Sequence, residues 1–298
     1  MISEYPKAKA LSPETVRTKV RGLAKLSTLP FVAMRVMELV ENPKTSASQL
    51  VELISTDQVL AARILKLANS AYYGFPRKIS TLNLAIVVLG FNALRDLVLS
   101  ISIIDRFWGD KNNELDLEQF WRHVLTVGRG AKLLAKYLNY PVVGEVFVAG
   151  LLHDIGYMIM LQQFPDDFLK VFTAAKEQKE DFHNIEDKLI SYNHMQLGAW
   201  LAEGWNLPPK LVESIKYHHR PEKSINHKDL TTIVCLADLI AASIGADSGL
   251  NFSETLTYEY LEETLALHAP KTTYTVSFFQ ERFREEVSKI DSFLGLVH

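Results

Sequence analysis

With 298 residues, 48% hydrophobic and 22% charged side chains and a net charge of −3, the chain has the composition of an ordinary globular protein of one large or two modest domains. Mild acidity argues against a broad nucleic-acid footprint, and a single cysteine, Cys235, rules out a disulfide framework within the chain. No apolar run reaches the roughly 18 residues of a membrane span, and residues 1–7 lack the apolar core of a signal peptide, so a cytoplasmic protein away from the membrane is expected.

Helical spacing dominates from the first apolar cluster onward. Ser46 and Gln49 are placed as a capping box ahead of Leu50, Leu53 and Ile54. A second box, Ser55 with Gln58, is expected to open the segment bearing Val59, Ala62, Ile64, Leu65 and Leu67. Residues 69–76 carry turn residues and a closing proline and read as a loop. A helix over 82–89 is broken by Gly90, and 94–104 continues helically. Its apolar run 97–104, interrupted by Ser100 and Ser102, reads as a buried helix.

The stretch Gly109-Asp110-Lys111-Asn112-Asn113 is the best boundary signal. Beyond it, helices are predicted over 117–138, 144–162, 166–178, 185–191, 194–204, 208–218 and 229–244, followed by 253–267. The last helix carries Phe279, Phe283, Val287, Ile290 and Leu294 on one apolar stripe that should dock on the core. No alternating strand pattern, Asn-Gly or Asp-Gly turn, or fixed repeat occurs. The fold class is therefore all-α.

Chemistry concentrates in the second region. His153-Asp154 follows an apolar run, Val146-Phe147-Val148-Ala149-Gly150-Leu151-Leu152. Burying a neutral imidazole beside a carboxylate is unfavourable without a partner, which points to a cation against the pair. His123 lies upstream; His194, the doublet His218-His219, and Asp238 in the apolar run Val234-Cys235-Leu236-Ala237-Asp238 lie downstream. Imidazole and carboxylate together suit iron, manganese, zinc or nickel, and helices can turn such groups toward one centre. Asp238 in an apolar helix also needs a partner, either a metal or an Arg or His. A structural alternative is a hydrogen-bonded polar network, with His218 and His219 favoured by a helix C-terminus.

Taken in order, His123, His153-Asp154 and Asp238 resemble the HD superfamily of metal-dependent phosphohydrolases, and His194 with His218-His219 resembles the extended set of its HD-GYP branch. That resemblance implies one or two divalent transition ions, iron or manganese first and zinc or nickel next. Asp154 would bridge them and, in an active enzyme, activate water. His123, His153, His194, His218, His219 and Asp238 would be terminal ligands.

The flanking residues are similar to the HDOD (HD-related output domain) family. They are Leu29-Pro30 with Ala33-Met34-Arg35-Val36; the run from Ser55 through Asp57-Gln58 to Asn69-Ser70-Ala71-Tyr72-Tyr73-Gly74; Ala85-Ile86 with Leu89-Gly90; and Trp205-Asn206-Leu207-Pro208. The resemblance covers about residues 20–245. It implies a bacterial regulatory or signal-transduction module: residues 1–113 form an N-terminal helical subdomain packed on an HD-like metal-site domain at 114–245, with a C-terminal helical extension at 246–298 packing on the core.

Two departures bear on activity. HD phosphohydrolases often carry Lys after His-Asp-x-Gly, where this chain has Tyr157, and a phenol supplies less transition-state charge. Arg220-Pro221-Glu222-Lys223 follows His219 without a Gly-Tyr-Pro, so the element associated with cyclic di-GMP hydrolysis is missing. The favoured function is a metal-holding module that binds a phosphorylated ligand, such as a nucleotide, or a signalling protein. The alternatives are an active phosphohydrolase, in which metals lower the pKa of a bridging water, and an interaction scaffold with an empty site.

Other features take structural readings. Residues 46–73 could pass for a helix-turn-helix, but Ile64, Leu65 and Leu67 share the second helix with Arg63 and Lys66, so a packed helix pair is simpler and DNA binding is set aside. Asn69, Ser70, Tyr72 and Tyr73 read as a tight turn rather than a pocket; Arg77, Lys78 and Arg220 read as solvated surface. His183, His227, His268 and His298 are left outside the constellation.

Overall fold

The computed structural model describes residues 11–26, 30–70, 73–75, 78–108, 115–141, 143–252 and 256–297, and all regular structure among them is helical. The first group is α1 (Pro13–Leu26), α2 (Phe31–Glu41), α3 (Ala47–Ser55), α4 (Gln58–Ala68), α5 (Leu82–Leu89) and α6 (Phe91–Phe107). The second is α7 (Leu117–Tyr137), α8 (Val143–Leu152), α9 (Ile155–Gln163), α10 (Pro165–Gln178), α11 (Phe182–Leu189), α12 (His194–Gly204), α13 (Pro209–Tyr217) and α14 (Lys228–Ser243), with a 3-10 turn at Pro221–Lys223. Helices α15 (Tyr258–His268) and α16 (Val276–Val297) follow.

Local chemistry sets the helix starts. Ser46 and Gln49 form the expected capping box of α3, satisfying two amides that the first helical turn leaves unpaired. The expected second box does not form. Ser55 is the last residue of α3, and Asp57 caps α4 by accepting from the Leu60 amide at 2.9 Å. Aspartate is a strong N-cap, and its position decides the boundary. At the other end of α4, the Asn69 amide ties the loop down. It donates to the carbonyls of Leu65 and Ile79 at 2.7 Å each and accepts from the Ile79 amide at 2.7 Å. That is a turn, as expected, although Ala71, Tyr72 and Arg77 lie outside the described residues.

Helices α3 and α4 are a packed pair rather than a free DNA-reading unit. Arg63 is ion-paired to Asp105 of α6, and the Lys66 ammonium donates to the Leu296 carbonyl of α16. Gly90, at φ +81°, turns the chain by 115° between α5 and α6. Together those two helices have the length and apolarity of a span, but no single described helix does. Helix α6 is instead internal: Val98, Leu99, Ile103 and Ile104 are fully buried, and Asp96 receives bonds from Arg95 (2.8 Å) and from Lys132 of α7 (2.6 Å).

One continuous apolar core runs from α1 and α2 through α14 to α16. The boundary stretch 109–113 lies outside the described residues, and the core continues on both sides of it. On α16, Phe279, Phe283, Ile290 and Leu294 are buried, so the stripe docks as expected, and α16 lies along α7. Burial of each such side chain contributes about 1.5–3 kcal/mol. The predicted helix over 144–162 is two helices, α8 and α9, broken at His153-Asp154. Helix α15 begins only at Tyr258, behind an N-cap at Thr257; residues 253–255 lie outside the described set.

Candidate metal centre

The break between α8 and α9 is what aims the doublet. Asp154 occupies the N-cap position of α9 but makes no capping bond. An aspartate there ordinarily accepts from the first-turn amides; this one turns its carboxylate inward. Around it stand His123 on α7, His194 as the first residue of α12, His218 and His219 just beyond α13, and Asp238 on α14.

These seven residues fall into two clusters. Ligand atoms of His123, His153 and Asp238 lie within 4.8 Å of one another, as do those of Asp154, His194, His218 and His219. Asp154 spans both. Its Oδ2 lies 3.6 Å from His123 Nε2 and 3.3 Å from His153 Nε2, while its Oδ1 lies 3.6 Å from His194 Nε2 and 3.4 Å from His218 Nε2. Asp238 Oδ1 is 3.3 Å from His123 Nε2, and its Oδ2 is 3.7 Å from His219 Nδ1.

Hydrogen bonds on the far side of the rings determine which nitrogens are free. His123 Nδ1 donates to the Ala246 carbonyl at 2.8 Å, His153 Nδ1 to Gly150 at 2.7 Å, and His218 Nδ1 to Ile215 at 2.8 Å. A carbonyl can only accept, so in the neutral rings these three Nε2 atoms carry lone pairs. The fourth ring, His194, shares a proton with Glu186 Oε2 across 2.6 Å. Yet the Nε2 atoms face each other at 3.3 Å, His123 with His153 and His194 with His218. Where both nitrogens carry lone pairs, as in the neutral His123–His153 pair, they repel unless a proton or a metal ion lies between them. Among the described residues, Asp154 Oδ1 is moreover buried with no partner in hydrogen-bonding geometry. A buried orphan carboxylate oxygen facing imidazole nitrogens fits a divalent transition ion.

The electrostatics agree. Burial alone would raise Asp154, but the His153 imidazole, with His123 and His218, holds it well below the usual carboxylate range. Burial would lower His123, but the Asp154 and Asp238 carboxylates outweigh it and raise it to about 10. In a centre of this composition each carboxylate needs a positive partner, whether proton or metal.

Sequence reasoning missed two neighbours. Glu186, fully buried on α11, accepts from the His194 backbone amide at 2.8 Å as well as meeting its ring. Burial pushes its carboxyl well above the ordinary range, against the pull of that amide. The only sequence signal was a carboxylate in the apolar face of a short helix. His183, left out as a loop residue, lies on α11 and stacks on His219 with ring centroids 4.3 Å apart. Tyr157 is buried too, its ring stacked on His194 at 4.0 Å. It packs against the His194 ring. Arg220 is ion-paired to Asp187, in keeping with a surface role.

Among the described residues, His219 and Asp238 are the most exposed members of the cluster. The side chains of His123, His153, His194 and His218 are at most 1% exposed, whereas those of His219 and Asp238 are 19% and 11% exposed. Those two form the floor of an open cavity of about 580 Å³ that His183, Tyr260 and Asp247 also line.

Residues 26–221 match the family model of the HDOD domain, more than half of the chain. The chain belongs to the HDOD family. A solved HDOD domain protein of unknown function from Geobacter sulfurreducens is 26% identical, with a TM-score of 0.79 over 95% of this chain and 97% of that one. A Shewanella amazonensis SB2B structure, provisionally described as a phosphohydrolase, shares the fold at 24% identity and a TM-score of 0.75, covering 95% of this chain and 98% of its own. An uncharacterized protein of Treponema pallidum (strain Nichols) is 28% identical over 71% of this chain, which spans only 41% of that relative's length. In this HDOD chain the matched segment ends before Asp238 and begins inside α1, so the family match covers six of the seven clustered residues.

Proposed function

We propose that this HDOD chain is a regulatory module whose His/Asp cluster holds one or two divalent transition ions and binds a phosphorylated ligand on them. The observation that carries this reading is the convergence of imidazole Nε2 atoms on the buried Asp154 Oδ1, which among the described residues has no partner in hydrogen-bonding geometry. His123, His153 and Asp238 would hold one ion and His194, His218 and His219 the other, with Asp154 shared. A bound ion supplies Lewis acidity toward phosphate oxygens. The chain's own contribution is to orient imidazoles through their Nδ1 bonds and to shield them from water.

Tyr157 favours binding over hydrolysis, because its buried ring offers no cation to a transferring phosphoryl group. The hydrolase remains the second reading, favoured by the position of Asp154 between the two groups of imidazoles.

Metal analysis of protein purified without chelator tests the centre. The expected result is stoichiometric iron or manganese and a metal-dependent rise in Tm; ligand at a hundredfold its Kd stabilises by about 2.7 kcal/mol. Less than about 0.2 ion per chain, with no stabilisation, removes the reading. Phosphoester turnover by the metal-loaded chain, lost in Asp154→Ala, would establish the hydrolase instead.

A further inference from the structure

The five imidazoles of the two clusters are not held alike. His123, His153 and His218 are each fixed by an Nδ1 bond to a backbone carbonyl, and His194 by the Glu186 carboxyl. Among the described residues, no hydrogen bond reaches the His219 ring, whose Nδ1 stops 3.7 Å from Asp238 Oδ2. Rotation of a histidine ring about its terminal side-chain bond is soft. A ring without such a bond needs another restraint to keep its nitrogen aimed at a shared centre.

The flat neighbour of that ring is His183. The two planes are 19° from parallel with centroids 4.3 Å apart, whereas His218 meets His219 at a tilt of 49°. Parallel rings at stacking distance resist turning, because rotation of one plane drives its edge into the other.

His183 is itself firmly seated. It follows Phe182, whose amide donates to the Leu250 carbonyl at 3.1 Å and whose ring meets Tyr157 edge-on at 5.3 Å. Two positions further on, Ile185 is fully buried. Glu186 lies three positions beyond His183 on the same side of α11. One face of this short helix thus meets two ligands of a single cluster, His194 through a carboxyl and His219 through a ring. In the other cluster, His123 and His153 rest on the carbonyls of Ala246 and Gly150, both outside α11.

We propose that His183 is a positioning residue: by stacking on His219 it fixes the plane of that ligand, which makes α11 the supporting helix for the ion that His194, His218 and His219 would hold. This rests on the metal-centre reading and deepens it by giving a role to a residue outside both ligand clusters. The restraint is the flat face of a ring, so another flat ring can supply it, and its effect travels only through His219.

Calorimetric titration of the metal-free full chain with Mn²⁺ tests it. His183→Ala and His183→Leu should weaken binding about tenfold, the lower end of what loss of an outer partner costs a metal site, while His183→Phe keeps the wild-type affinity. The loss should keep its full size in a His123→Ala background and disappear in a His219→Ala background, as expected when one residue acts through another. Four outcomes overturn the proposal and leave the metal centre standing: unchanged affinity in the ringless variants, failure of phenylalanine to restore it, a loss that persists without His219, or collapse of the metal-free fold in the ringless variants. A wild-type chain that takes up no Mn²⁺ overturns the reading beneath it as well.

Discussion

The carboxyl of Glu186 accepts the backbone amide of His194 at 2.8 Å and shares a proton with its ring Nδ1 at 2.6 Å, with no solvent reaching it. The imidazoles of His123, His153 and His218 lean on backbone carbonyls, whereas the His194 ring is oriented by a buried side chain that substitution can change. Glu186→Gln keeps an acceptor for the amide but presents an NH₂ to Nδ1, driving the ring proton to Nε2. The fold should persist while metal affinity falls about 10–100-fold, the usual effect of removing an outer partner; titration of the metal-free chain measures it.

Asp154 and Asp238 should behave differently on neutralisation. Asp154 faces histidines of both clusters, whereas the nearest groups to Asp238 are His123 and His219. Asp154→Asn is expected to lower metal content below about 0.2 per chain, and Asp238→Asn to about half the wild-type value. Elemental analysis of the two purified variants separates a shared ligand from a terminal one.

Gly156 sits where α9 crosses the start of α12. A Cβ there would lie 1.8 Å from the His194 carbonyl oxygen, and a backbone atom cannot rotate away. Gly156→Ala should therefore destabilise by about 2–3 kcal/mol and displace His194. Chemical denaturation gives the first effect; metal content of the folded fraction gives the second.

Helix α1 is fastened to α12 by Arg17 and Arg21, both on Glu203 at 3.2 and 2.9 Å. Burial would raise Glu203, but the two guanidinium groups outweigh it and hold it below its ordinary value. A depressed folded pKa means the contribution is present above the unfolded value and is lost as pH falls through the folded one. The pair is largely exposed, so it is worth about 0.2–1 kcal/mol. The stability difference between wild type and Glu203→Gln should be present at pH 7 and shrink as the pH falls below the ordinary glutamate value of 4.5, which denaturant titrations across that range check.

Much of this was legible from residue order because helical periodicity is local. The cap at Ser46, the break at Gly90 and the stripe on α16 follow from side chains within a few positions of each other. The seven-residue constellation was legible because its members are polar groups in apolar surroundings. What was not legible is three-dimensional. Nothing local separates 144–162 into two helices; the carboxylate of Asp154 leaves its capping role only because histidines from α7, α12 and the end of α13 surround it. His183 reads as a loop residue and Glu186 carries no local signal of a role; only the packing of α11 against His194 and His219 brings them to the cluster. Even the start of α4 turned on a choice between Ser55 and Asp57 that spacing alone leaves open.

The family match stops at residue 221, while Asp238 projects from α14, seventeen positions further on, and Ala246, which orients His123, lies further still. A fragment cut at the family boundary would keep most of the histidines but lose the Asp238 carboxylate and the carbonyl behind His123. The smallest unit that can be transplanted, fused or truncated without changing the chemistry is therefore larger than the segment by which the family is recognised.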